Sequence, residues 1–277
     1  MRIEQFAFQA GATEVAPLTP AQPLNISTRL AVQSGDNVLI GGFILTGSDQ
    51  KKVLIRGLGP SLSVAGKLDD TVLELHDSSP TVITNDNWKD TQPSDIQATG
   101  IPPSDDAESA IVQTLPANNA GYTAILRGKN NADGVGLVEI YDLDQAANSQ
   151  LANISTRGFV DLGDNVMIGG FILGPSTNAS TKVIVRAIGP SLGAAGVANA
   201  LQDPTLELHD VNGALLAAND DWKTDPNQSQ IAAIGLGPTD DHESAIFAIP
   251  PAGNYTAVMR GANSTTGVGL VEVFRLP

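Results

Sequence analysis

The chain contains no cysteine, which excludes disulfides and thiolate metal sites. Aromatic residues make up only 4%, with two tryptophans. A broad aromatic platform for sugar rings is hard to build from so few. Basic residues are scarce as well: 15 Lys and Arg face 30 Asp and Glu, for a net charge of -15. Such a surface repels nucleic-acid phosphate and anionic lipid. No apolar run approaches the roughly 18 residues that a membrane-crossing helix needs. Neither nucleic acid nor membrane insertion is therefore expected. The opening residues Met1-Arg2-Ile3-Glu4-Gln5 carry no apolar segment, so no signal peptide is visible. Also missing are a Gly-x-Ser-x-Gly nucleophile elbow and a His-Glu-x-x-His zinc motif. An acidic chain with only 16% charged residues suits a secreted or cell-surface protein, or one that collects cations.

What is present is a duplication. Asn25-Ile26-Ser27-Thr28-Arg29 returns unchanged as Asn153-Ile154-Ser155-Thr156-Arg157. Residues 36–45 return as 164–173 with one change, Leu39 to Met167. Leu73-Glu74-Leu75-His76-Asp77 matches residues 206–210, and residues 134–139 match 267–272. A period of about 130 residues is the size of a whole domain, not of a solenoid unit. The expected organisation is an N-terminal strand and Pro-containing arm (1–23), repeat one (24–143), a polar linker (144–150) and repeat two (151–277).

Within each copy the apolar period is two, the period of a strand. Strands are expected over 24–32, 37–45, 52–58, 72–77, 81–84, 109–115, 122–128 and 136–143, and at the equivalent places in repeat two. Residues 37–45 are apolar on both faces, as in a central strand, with Gly41-Gly42 as a bulge or a close-packing point. A helical turn is expected at 228–234, with a counterpart at 94–98. Short strands with frequent turns indicate an all-β fold: two tandem antiparallel β-sandwiches of jelly-roll type.

The duplication also filters the polar residues, because a position that matches in both copies is required by the module. Arg56, Arg127 and Glu139 each share a strand face with apolar groups, so they need partners. Arg56 and Arg186 are expected to pair with a carboxylate such as Glu74 or Glu139 and its repeat mate; the alternative is an anion or sugar site. Glu74 and His76 share a strand face but have no nucleophile beside them, so no catalysis is expected. The acidic clusters at the two ends of one long loop are the candidate metal site. They supply Asp86, Asp105 and Asp106, and again Asp220, Asp240 and Asp241. Closely spaced loop oxygens suit calcium, while Asx-turns capping strand ends are the plainer reading. Trp88 and Trp222 are expected to pin the long loop to the sheet. The Gly57-Leu58-Gly59-Pro60-Ser61 stretch has the glycines of a phosphate loop without its Lys, and reads as a turn.

The order of motifs resembles the bacterial pre-peptidase C-terminal type of β-sandwich. It runs from Gly-Asp-Asn through Leu-Glu-Leu-His-Asp and Asn-Asp-Asp-Trp to Pro-Ala-Gly-Asn-Tyr-Thr (251–256) and Gly-Leu-Val-Glu-Val (269–273). The likeness is greater still to a repeat found in large exported bacterial proteins. It implies a secreted, non-catalytic jelly roll, sometimes calcium-binding, appended to enzymes or adhesins. The function expected is a structural or adhesive module, one that self-assembles into a filament or surface layer through the N-terminal strand. The alternative is a carbohydrate- or matrix-binding accessory module that recognises polysaccharide.

Overall fold

The computed structural model describes residues 21–35, 37–119, 121–174 and 179–276. Most of the expected N-terminal arm, with its strand signal at Phe6 and Phe8, lies outside the described residues, as does Asp36. The protein is mostly β, with antiparallel strands and few helices. Repeat one supplies β1 (Gln22–Val32), β2 (Leu39–Gly47), β3 (Lys51–Leu58), β4 (Thr71–His76), β5 (Val82–Asn85), β6 (Ser109–Leu115), β7 (Gly121–Gly128) and β8 (Gly134–Asp142). Repeat two supplies β9 (Ser149–Val160), β10 (Met167–Gly174), β11 (Val183–Ile188), β12 (Pro204–Asp210), β13 (Leu215–Asn219), β14 (Ser244–Ala248), β15 (Gly253–Gly261) and β16 (Gly267–Arg275). β9 begins at Ser149, inside the expected linker, and β1 begins at Gln22, inside the expected arm.

Hydrogen bonds link these strands into two rows. One runs β6-β3-β8-β1-β10-β15-β12-β13. The other runs β5-β4-β7-β2-β9-β16-β11-β14. Among the described residues, a single strand pairing, Ala31 with Phe159, connects them. Alternating side chains from both rows meet in one core that includes Leu39, Phe43, Leu73, Val138 and Ile140. The alternation follows from the pleat, which sends successive side chains to opposite faces. Each apolar side chain so buried contributes about 1.5–3 kcal/mol. Phe43 stacks on Tyr122 and Phe171 on Tyr255, at 5.3 and 5.5 Å between ring centres.

Each row crosses from one repeat to the other, and the two crossings are equivalent. β1 pairs with β10, and its counterpart β9 pairs with β2. The registers match: Ser27 opposes Gly170 and Ser155 opposes Gly42, while Ile26 opposes Phe171 and Ile154 opposes Phe43. Thr28 and Thr156, themselves equivalent, share a buried hydroxyl hydrogen bond of 2.7 Å. This is the self-complementary pattern of a twofold dimer, here within one chain. It explains why these two motifs are duplicated so faithfully: each copy of one motif docks on the copy of the other across the junction. The Gly-Gly pair is a close-packing point and not a bulge. A Cβ on Gly42 would lie 2.5 Å from Ser155 Oγ, and one on Gly170 would lie 2.5 Å from Ser27 Oγ. The register irregularity falls later, between Ile44 and Leu45.

Residues 149–277 expressed alone are therefore expected to form a dimer, because β9 and β10 would otherwise present unpaired edges. Multi-angle light scattering should give twice the chain mass at micromolar concentration. A stable monomer would show that the junction contributes little to either copy.

The long connections after β5 and β13 hold the short helices Pro93–Ala98 and Gln228–Ile234. Each packs on a small satellite core around its tryptophan. Trp88 meets Ile96, Leu54 and Val112, and Trp222 meets Ile231 and Ala245. The tryptophans do pin these loops to the strands, as their duplicated position suggests.

Candidate metal centre

The two ends of each long loop are brought together by the same bonds in both copies. The Trp88 N–H donates to the Glu108 carbonyl (2.8 Å), and the Trp222 N–H to that of Glu243 (2.9 Å). Asn85 Oδ1 accepts from the Ala110 N–H at 2.8 Å, and Asn219 Oδ1 from the Ala245 N–H at 2.9 Å. Between these anchors lies a buried carboxylate. Glu108 is fully buried; its Oε1 accepts from the N–H groups of Gly59 (3.1 Å) and Ser61 (3.0 Å) and from the Ser61 hydroxyl. Its Oε2 accepts from the Asp105 N–H at 3.3 Å. Glu243 repeats this with Gly189, Ser191 and Asp240. The glycine-rich turn is thus an anion-binding concavity of backbone N–H groups, filled by the protein's own carboxylate instead of a phosphate.

Five of the six predicted metal ligands go to several different partners. In repeat one, Asp86 Oδ2 lies 2.9 Å from Lys129 Nζ, which also lies 3.2 Å from Asp70 Oδ2. These two carboxylates hold the Lys129 ammonium above its ordinary range, chiefly through their hydrogen bonds to it. Asp105 Oδ1 accepts from the Ala107 N–H at 2.9 Å, which is an Asx-turn, and Asp106 pairs with Lys89. In repeat two, Asp240 Oδ1 accepts from the His242 N–H at 3.0 Å, and Asp241 pairs with Lys223. Asp220 differs from its mate. Its carboxyl is held above the ordinary range, first by partial burial and then by the neighbouring charges of Asp203 and Asp221.

Among the described residues, Asp203, Asp221 and His242 form a group that could hold a metal. One ligand atom from each lies within 4.8 Å of the others. None of these three is among the six predicted ligands. Asp203 ends the turn before β12, Asp221 precedes Trp222, and His242 stands one residue before the buried Glu243. His242 Nδ1 is 3.5 Å from Asp221 Oδ1. In repeat one the equivalents of Asp221 and His242 are Asn87 and Ala107, so a filter that keeps only matching positions discards them. The signal in the sequence was the mismatch itself: the second copy gains a carboxylate and an imidazole at two ends of one loop.

The arginines pair as expected. Arg56 Nε donates to Glu139 Oε2 at 2.9 Å, and Arg186 Nε to Glu272 Oε2 at 3.0 Å. Both guanidinium groups also bind the long loop, at the carbonyls of Ile101 (2.8 Å) and Leu236 (2.9 Å). Arg56 lies over the Tyr141 ring. Burial, reinforced by the Glu139 charge, pushes the Tyr141 hydroxyl up to about 12. The Glu–His couples exist as well: His76 Nε2 is 2.9 Å from Glu74 Oε2, and His209 Nε2 is 3.0 Å from Glu207 Oε2. Arg260 also reaches Glu207, at 2.9 Å. The His209 hydrogen bond, followed by Arg260, holds the Glu207 carboxyl below its ordinary range. A carboxylate so held is a poor proton donor at neutral pH.

No family model matches the chain, and no curated protein matches it. Among solved structures, a DUF4785 family protein from Legionella pneumophila is similar at 10% identity, over 98% of this chain and 70% of that one, with a TM-score of 0.25. The plant receptor-like kinase FER is similar at 8% identity, over 95% and 90% of the two chains, with a TM-score of 0.21.

Proposed function

We propose that the protein is a non-catalytic structural or adhesive module of an extracellular assembly, built from two jelly-roll sandwiches. Supporting the fold reading, each copy has its first, eighth, third and sixth strands in one row and its second, seventh, fourth and fifth in the other. That is the strand order of two interlocked Greek keys. The observation that carries the functional reading is the use made of the duplicated polar residues. Arg56 and Glu139, Glu108 and Asn85, and their mates are all engaged in bonds that hold loop to sheet. Polar groups committed inside the scaffold in both copies are the mark of a building block. A second reading, a ligand- or matrix-binding accessory module, has one observation in its favour. An apolar cleft of about 600 Å³ in repeat two is lined by Leu208, Leu216, Phe247, Ile249 and Tyr255.

The two readings separate in solution. As an assembly subunit, the full chain at high concentration should scatter light as particles heavier than a monomer. Removing residues 1–20 should reduce that mass. A chain that stays monomeric and binds a polysaccharide saturably would favour the accessory role.

A further inference from the structure

The geometry points to a site for a divalent transition-metal ion in repeat two, ligated by Asp203, Asp221 and His242, where repeat one carries a built-in ammonium instead. The equivalence of the two places is fixed by the backbone. The Lys129 N–H donates to the Asp70 carbonyl at 3.1 Å, and the Ala262 N–H donates to the Asp203 carbonyl at 2.8 Å. Ala262 is therefore the structural counterpart of Lys129, and Asp203 of Asp70. In repeat one the Lys129 ammonium lies between Asp70 and Asp86 and serves as their counter-charge. In repeat two that lysine is replaced by alanine, while Asn87 is replaced by Asp221 and Ala107 by His242.

Two of the replacements raise the local negative charge, and the third adds an imidazole. Two carboxylates and one ammonium become three carboxylates, Asp203, Asp220 and Asp221, with no ammonium from position 262. Like charges packed this closely repel and need a cation. In repeat one a cation, the Lys129 ammonium, sits between Asp70 and Asp86, whose equivalents are Asp203 and Asp220; the proposed ion shares Asp203 with that place and takes its other ligands from Asp221 and His242 at the adjoining loop ends.

The imidazole decides the class of ion. Calcium takes six to eight oxygens, whereas two carboxylates and a histidine suit zinc and its first-row neighbours. Ligand atoms about 2.1 Å from one ion stand roughly 3–4.2 Å apart. Around a tetrahedral ion that spacing is about 3.4 Å, so a pair at the 4.8 Å limit needs to close by about 1.4 Å. His242 is exposed, so its ring is free to turn inward.

The test is calorimetric titration of the full chain, stripped of metal, with zinc chloride. The expected result is saturable binding of one zinc per chain. His242→Ala should weaken it at least about tenfold, the lower end of what even outer-shell partners contribute. Ala262→Lys should abolish it by restoring the internal cation. The reverse construction in repeat one, Asn87→Asp with Ala107→His and Lys129→Ala, should raise the stoichiometry to two. A thermal melt of each variant establishes that it is folded, and the exposed His242 keeps the test open if Ala262→Lys is not. Absence of saturable zinc binding, or binding that folded His242→Ala and Ala262→Lys both retain, overturns the proposal. Calcium binding tighter than zinc overturns the assignment to a transition metal.

Discussion

Replacing Glu108 with alanine is expected to lower stability by about 4–6 kcal/mol, and Glu243→Ala should do the same. The side chain is fully buried and satisfies four donors: the N–H groups of Gly59, Ser61 and Asp105 and the Ser61 hydroxyl. Each buried donor left without a partner costs about 1–3 kcal/mol. Water entering the vacated space recovers part of this, which sets the expected range below the full sum. Domains are typically stable by only about 5–15 kcal/mol, so the loss is a large share of the total. Glu108→Gln keeps one acceptor oxygen and should cost roughly half as much. Urea unfolding followed by tryptophan fluorescence measures both, since Trp88 lies in the same loop. A change below about 1 kcal/mol for Glu108→Ala would show that the turn does not depend on this carboxylate.

The second large effect is expected at an ion pair found in repeat one alone. Lys51 Nζ lies 2.9 Å from Asp142 Oδ2, and both side chains are completely buried. The ammonium also donates to the Asp144 carbonyl, while Asp142 Oδ1 accepts from the Asp144 N–H at 2.8 Å. Repeat two has Thr181 and Arg275 at the equivalent positions. Lys51→Met would strand a carboxylate in the interior, at a cost of about 3–5 kcal/mol. Adding Asp142→Asn removes the stranded charge but keeps the bond to Asp144, so the double variant should recover most of the loss. The double-mutant cycle is read from denaturant midpoints at unchanged slope. If the double variant were no more stable than Lys51→Met, the cost would lie in packing and not in the unpaired charge.

These two carboxylates differ in how far the sequence announces them. Glu108 matches Glu243, and each lies beside a duplicated Asp-Asp pair, so the residue could be marked as required, though not as the occupant of the Gly-Pro-Ser turn. The turn and the glutamate are 47 residues apart, and only the fold brings Ser61 to Glu108. Lys51 and Asp142 carry no such mark, because repeat two does not keep them. The arginine pairs were legible because strand alternation places Arg56 and Glu139 among apolar neighbours, where a charge requires an opposite one. The helix at Gln228–Ile234 was legible from local spacing. The metal group is not legible in this way, because two of its three residues, Asp221 and His242, stand where the copies diverge.

Local pattern along the chain is enough to specify a duplicated, antiparallel β protein with strands near the expected positions. Period-two alternation and turn residues act within a few positions of each other, so a linear reading captures them. It also indicates that Arg56 and Arg186 need a partner, while leaving open whether that is a carboxylate of the chain or a bound anion or sugar. That the two copies share their edges, β1 on β10 and β9 on β2, emerges first in the folded chain. Backbone N–H and C=O groups are the same at every residue, so no side-chain pattern names the partner of an edge strand. The fold likewise brings Asp203, Asp221 and His242 together, because loop closure joins residues that chain spacing keeps far apart.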